Sequence, residues 1–273
     1  MVIISLAASL SLFALYNLCL CAFPPVAYRR HDPVERCEEF VYGSRKHEAV
    51  LVGSGLLGQL ESGLSQGFFN LCFPYFGSTT GVEIIVLSQK KPDWIFIEAN
   101  YIFKETDKNL IVKLFTGPWR KIKRFVPAFR KKNRPVALLR NALGYLKKTK
   151  KTTPARLADG DELERFIRIY NQPPDLARLE DHLEKFKTNL NTMRSRGCRI
   201  AFFEMPVHES LRHSRLFEWQ RQRLNEIFAR EPYHWITGGQ QNEYQTIDGI
   251  HLTEESAARY TGYLMQEVRT LLT

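Results

Sequence analysis

The stretch Ala49-Val50-Leu51-Val52-Gly53-Ser54-Gly55 decides the fold. A short, unbroken apolar run ending at glycine reads as a strand covered on both faces. Strands of that kind belong to parallel sheets flanked by helices. Four more apolar runs follow, at Phe68–Phe73, Trp94–Ala99, Ile200–Glu204 and His234–Thr237. Helical patterns separate them at Leu56–Leu64, Thr80–Gln89, Asp175–Arg196 and Leu211–Arg230, and a last one covers Thr253–Leu272. Within the third, Leu176, Leu179, Leu183, Phe186 and Leu190 recur at helical spacing. Strand–helix alternation predicts an α/β domain, with a five-stranded parallel sheet and helices on both faces. The chain has 273 residues, 44% of them hydrophobic, which is enough for one such domain with a full core.

Charge is unevenly placed. The net charge is +10, yet Lys108 to Ala158 holds 16 Lys and Arg and no acidic residue. The other residues carry 23 basic and 29 acidic side chains, so the basic character belongs to one insertion. Inside it, Phe115, Trp119, Ile122, Val126 and Phe129 alternate with Arg120, Lys121, Lys123 and Arg124. That pattern predicts an amphipathic basic helix, opened by Pro118 and broken at Pro127. Val136, Leu139, Leu143 and Leu146 form a second helical pattern. Two readings of the insertion stand side by side: a helical hairpin with a solvated basic face, and a helix lying on anionic headgroups. No nucleic-acid motif is present and the remainder is acidic, which argues against a nucleic-acid partner.

Val2 to Phe23 is uncharged over 22 positions, about 33 Å of helix. Residues 1–24 are therefore expected to be a transmembrane anchor or a signal segment, with the anchor favoured by length. Residues 25–47, opened by Pro24-Pro25, read as a linker, and 48–273 as the catalytic-type domain with its insertion at about 108–158. Arg29 and Arg30 follow the apolar segment, and the positive-inside tendency alone would keep the next domain cytoplasmic. The five cysteines show no CxxC or Cys/His metal spacing, so no metal is expected, and Cys72 and Cys198 read as buried thiols.

Chemistry concentrates at the strand ends. Ser54 closes the first strand, at the carboxyl edge where open α/β sheets keep their sites. Gly53 and Gly55 suit a tight turn there, and Ser54 also suits a plain strand-to-helix cap. Asp248-Gly249-Ile250-His251 precedes the last helix, a spacing that puts Asp248 and His251 on one side of a turn. Ser54 is then the expected nucleophile, His251 its general base and Asp248 the group that orients His251. Asn100 and Gly77 end or follow strands on the same edge, so the Asn100 amide and the N–H groups of Ser54 and Gly77 are candidate oxyanion donors. Glu204 and His208 follow the fourth strand and are more simply structural. Phe217, Trp219 and Trp235 read as packing residues, and Gln240, Gln241 and Asn242 as a loop beside the pocket.

Taken in order, Ser54, Gly77, Asn100 and His251 resemble the four sequence blocks of the SGNH hydrolase superfamily. The resemblance runs from about Ala49 to Leu271, outside the insertion. It implies a three-layer α/β/α domain of flavodoxin-like type, and hydrolysis or transfer of an ester-linked acyl group without metal or cofactor. Two departures stand out. Val52-Gly53 precedes Ser54 in place of Gly-Asp, and the third block has Glu98 for its glycine and Tyr101 for its aspartate. These changes look more like membrane-anchored members that modify envelope polymers than like secreted lipases. The expected activity is a serine-dependent O-acyl, chiefly acetyl, esterase or acyltransferase on a cell-envelope or extracellular polysaccharide. The domain would face the periplasm or cell exterior, alongside polysaccharide-export or acyl-donor membrane proteins. The alternative is an inactive member of the same fold that binds a membrane or protein partner through its basic insertion.

Overall fold

A computed structural model describes residues 1–23, 32–63, 67–147, 160–229, 232–237 and 243–272. Its helices are α1 (Val2–Ala22), α2 (Pro33–Tyr42), α3 (Ser78–Ser88), α4 (Lys108–Phe115), α5 (Trp119–Phe125) and α6 (Pro135–Lys147). Then come α7 (Gly160–Tyr170), α8 (Leu176–Ser195), α9 (Glu209–Arg212), α10 (Arg215–Phe228) and α11 (Glu254–Leu272). The strands are β1 (Ala49–Ser54), β2 (Phe68–Phe73), β3 (Trp94–Glu98), β4 (Arg199–Phe203) and β5 (Tyr233–Ile236). The chain divides into two compact units: Met1–Ser44 with Lys108–Thr152, and Arg45–Asp107 with Thr153–Thr273.

The larger unit is the α/β domain. Its five strands are all parallel in the order β2-β1-β3-β4-β5, the flavodoxin-like arrangement. Parallel strands need helical crossovers, and those crossovers cover both faces. Every residue of β1 and β3 is buried, as the unbroken apolar runs predict. Alternate side chains supply two cores. Leu51, Trp94, Phe96, Ala201 and Phe203 join Tyr260, Leu264 and Val268 of α11 in one. On the other face α3 packs against β1 so closely that a Cβ at Gly81 would lie 2.4 Å from Val52. Each fully buried Leu or Phe contributes roughly 1.5–3 kcal/mol, so the sheet is the rigid base of everything at its edge.

Local structure departs from the sequence reading at two places. Leu56–Leu64 is not an α-helix: Gly55–Gly63 forms a 3-10 helix, and Leu64 lies outside the described residues. Helix α7 was not anticipated; it places Phe166 and Tyr170 against the core. Gln240, Gln241 and Asn242 lie outside the described residues.

The smaller unit holds α1, α2, α4, α5 and α6. Part of the expected linker is helix α2, started by Asp32, whose side chain accepts from Val34 and Glu35 N–H, with Pro33 in the first turn. Its Cys37, Phe40 and Tyr42 are buried. The insertion forms more than a hairpin: α4, α5, two 3-10 turns at Pro127–Phe129 and Lys131–Asn133, then α6. Pro118 caps α5 and Pro127 follows its end, as the sequence predicts. Helix α1 is long and apolar enough to cross a membrane, a property shared by anchors and signal sequences.

Candidate active site

Ser54 is the last residue of β1 and is almost fully buried. Its Oγ accepts from Leu56 N–H at 3.2 Å, so it caps the 3-10 turn that follows. Its own proton goes to Glu98, the last residue of β3: Oγ–H donates to Glu98 Oε1 at 2.9 Å, and Ser54 N–H donates to Oε2 at 2.6 Å. Glu98 is 0% exposed. Burial pushes its carboxyl up to about 7, against the two Ser54 hydrogen bonds and the nearby Lys104 charge. Burial in turn lowers Lys104, whose Nζ sits 4.3 Å from the Tyr101 ring centroid.

Gly53 has a different role from the tight turn expected of it. It lies within β1, and neither it nor Gly55 has a positive φ. A Cβ on Gly53 would lie 2.3 Å from Glu98 Oε2 and 2.7 Å from Leu57 Cδ1. The missing side chain is the space that Glu98 occupies. Strand register makes the match: Val52 pairs with Ile97, and one step further Gly53 faces Glu98.

Asp248 and His251 are brought together as expected. His251 Nδ1 lies 2.6 Å from Asp248 Oδ2, while Asp248 Oδ1 accepts from the Ile250 and His251 N–H groups. Burial alone would raise Asp248, but the His251 and backbone hydrogen bonds outweigh it and hold its carboxyl at about 2. The same bond raises His251, against burial and with help from the Asp248 and Glu162 charges. The His251 side chain is half exposed.

A clamp that sequence reasoning missed joins this loop to the turn after Ser54. Gln59 donates from Nε2 to Leu252 O at 3.0 Å and accepts from Leu252 N–H at 3.1 Å. Its amide therefore pairs with the residue after His251 as a strand would. His208 N–H adds a bond to Gly249 O at 2.8 Å. Among the described residues, no hydrogen bond joins Ser54 to His251; each is paired with its own carboxylate.

The other strand-end residues are structurally engaged. Asn100 Nδ2 donates to Met205 O at 2.9 Å, and Asn100 Oδ1 accepts from Met205 N–H at 2.7 Å, tying the β3 and β4 loops together. Gly77 precedes α3 because a Cβ there would lie 1.9 Å from Tyr101 O. Ser78 donates to Glu98 O, and Thr79 Oγ1 to Lys104 O at 2.7 Å, so the first turn of α3 pins this loop. Glu204 is bound by Arg221 at 3.0 Å, and His208 Nδ1 caps α9 at Ser210. Phe217 stacks on Tyr170, Trp235 stacks on Phe202, and Trp219 is partly buried. The described residues contain no His/Cys/Asp/Glu group suited to a metal, and Cys37, Cys72 and Cys198 are buried.

No protein-family model matches the chain, and no curated protein matches it.

Proposed function

We propose that the chain is a serine-dependent O-acyl esterase or acyltransferase of SGNH type. The observation that carries this reading is the Asp248–His251 pair at 2.6 Å, on a loop clamped by Gln59 to the turn that begins at Ser54. Such a pair fixes the imidazole with Nδ1 toward the carboxylate, which leaves Nε2 for proton transfer. In the reaction, Ser54 Oγ turns from Glu98 and attacks the acyl carbon, and its proton passes to His251 Nε2. The ester C–O bond then breaks, and His251 returns the proton to the leaving alcohol. Water or a sugar hydroxyl next attacks the acyl-enzyme and gives its proton to His251, and Ser54 is restored. The Gly77 N–H and the second N–H of the Asn100 amide are the oxyanion donors, and the Ser54 N–H joins them only once it is released from Glu98 Oε2.

The substrate class is an acetyl-like ester on an envelope or extracellular glycan, with small acyl esters as surrogates. The half-exposed His251 suits a bulky acceptor, and the apolar helix α1 suits action at a membrane, beside polysaccharide-export or acyl-donor proteins. The test is p-nitrophenyl acetate turnover by the full chain, Ser54→Ala and His251→Ala. Each variant is expected to lose about 100-fold or more. Wild-type rates in both would end the proposal.

One observation favours a second reading, an inactive member of this fold that serves as an assembly factor. The Ser54 hydroxyl is buried and paired with Glu98, the residue that stands where the resembled pattern has glycine. On that reading the full chain turns over no ester, and deleting residues 117–151 abolishes localisation or complex formation.

A further inference from the structure

The smaller unit sorts its charges. Three of its lysines are neutralised by α2 and its cap: Lys123 Nζ lies 2.6 Å from Glu38 Oε1, Lys131 pairs with Asp32, and Lys132 lies 3.5 Å from Glu39. The Lys131 N–H also donates to Glu38. By contrast, Lys113, Arg120, Lys121, Arg124, Arg134 and Arg140 are exposed and make no ion pair among the described residues. No acid lies between Lys108 and Ala158 to balance them.

Exposed apolar groups stand among these cations. Trp119 is 54% exposed and Phe125 78%. On α6, Val136, Leu139 and Leu143 are exposed at spacings that share one helix face. Val112, Lys113, Trp119, Phe129 and Arg134 line one cavity of about 630 Å³, so cationic and apolar groups meet in one place. A surface meant only for water would not hold so many large apolar side chains together.

Helix α1 fixes the level of this surface. Ala128 N–H donates to Asn17 Oδ1 at 3.0 Å, Tyr16 OH donates to Asn133 O, and the Phe13 and Phe129 rings lie 5.8 Å apart. Tyr16 OH and Asn17 Oδ1 of an otherwise largely apolar helix are thus satisfied by the insertion, which makes the carboxyl-terminal part of α1 a built part of this unit. Ile4, Leu10, Leu12 and Leu18 of α1 are exposed, while Leu20 is buried. Asn17 lies about 8 Å of helix before Ala22. Interfacial helices bury their apolar faces roughly 5–10 Å into the boundary between headgroups and acyl chains. With α1 across a bilayer, the insertion falls at that depth.

We propose that this unit docks on an anionic phospholipid surface where α1 leaves the bilayer. Trp119, Phe125 and the Val136–Leu139–Leu143 face enter the acyl boundary, and the exposed Lys and Arg side chains meet the phosphates. The proposal is independent of the chemistry at Ser54.

The test uses the full chain reconstituted in vesicles whose lipids carry brominated acyl chains, which quench tryptophan on contact. Two compositions are compared: phosphatidylcholine alone, and about seven parts of it to three of phosphatidylglycerol. Trp119→Phe is expected to remove most of the quenched emission in the anionic vesicles. Arg120→Glu/Lys121→Glu/Arg124→Glu, all on exposed side chains, is expected to reduce quenching of Trp119 about two-fold or more while leaving the melting temperature unchanged. Quenching that Trp119→Phe does not alter would overturn the proposal. So would equal quenching in the two compositions, or steeply salt-dependent capture of an oligonucleotide with no lipid contact.

Discussion

Two carboxylates at one edge of the sheet have opposite fates. Glu98 is buried at the end of β3 beside a neutral hydroxyl, and its carboxyl is pushed up to about 7. Asp248 sits on a loop beside an imidazole that can carry charge, and its carboxyl is held at about 2. Both accept two or more hydrogen bonds. The difference is that Asp248 keeps access to water and a cationic partner, whereas desolvation dominates at Glu98. Hydrogen bonds alone therefore do not keep a carboxylate ionised; the partner's charge and the solvent decide. The consequence for Ser54 is direct. Its resting acceptor is a group that is half protonated near neutrality, while the strongly ionised carboxylate serves His251.

The sharpest way to break this contrast is Asp248→Asn. Loss of the orienting charge is expected to cut ester turnover about 100-fold or more, and to lower the His251 pKa, read by NMR titration of the ring. In the parent, turnover is expected to rise with pH as His251 loses its proton, through a midpoint above the ordinary histidine value. In the variant that midpoint moves down. An unmoved midpoint would mean that Asp248 does not govern His251.

Glu98→Gln tests the other side and separates two proton acceptors. If His251 is the base for Ser54, this variant keeps turnover within about ten-fold; if Glu98 is the base, it loses 100-fold or more. Stability gives a second readout. A carboxyl whose folded pKa is raised favours folding at low pH. That advantage is lost as pH rises from the unfolded value near 4.5 to about 7. The loss is on the order of 3 kcal/mol. Denaturant midpoints of the parent should fall across that window, and those of Glu98→Gln should not show this component. The Asp248–His251 pair behaves differently: the Asp248 contribution is lost as pH falls toward about 2, and the His251 contribution as pH rises through its raised value.

Gly53→Ala asks whether the space for Glu98 is necessary. The added methyl meets Glu98 and Leu57 at 2.3 and 2.7 Å, so a loss of about 1–3 kcal/mol is expected from overpacking. The double variant Gly53→Ala/Glu98→Ala should recover part of it, and additive losses would argue against the pairing. Gln59→Ala is the mildest change. It removes two hydrogen bonds from Leu252, and a loss of about 1–2 kcal/mol is expected, with a larger effect on turnover than on melting.

Much of the fold was legible because the strands are buried on both faces. Ala49–Val52 and Trp94–Ile97 carry their assignment in their own composition, and the strand–helix alternation implies the crossovers. The 3-10 turn after Ser54 was less accessible, since Leu56, Leu57 and Leu60 suit an α-helix equally well. Helix α2 was hidden because its charged residues suggest a solvated linker, yet Glu38 is buried by Lys123, a partner far along the chain. At the site, Asp248 and His251 are close in sequence, so their spacing predicts their contact. The Ser54–Glu98 and Gln59–Leu252 pairs join distant segments, and only strand register or loop placement brings them together. Glu98 was visible as a departure from the resembled pattern, but its meaning depended on the glycine opposite.

The central claim is that Ser54 is a nucleophile activated by the Asp248–His251 pair. The most direct measurement is labelling of the full chain with an alkyl fluorophosphonate, followed by peptide mass mapping. One phosphonyl adduct is expected on Ser54, absent in Ser54→Ala and slowed about 100-fold or more in His251→Ala. No adduct, an adduct on another residue, or a rate indifferent to His251 would contradict it.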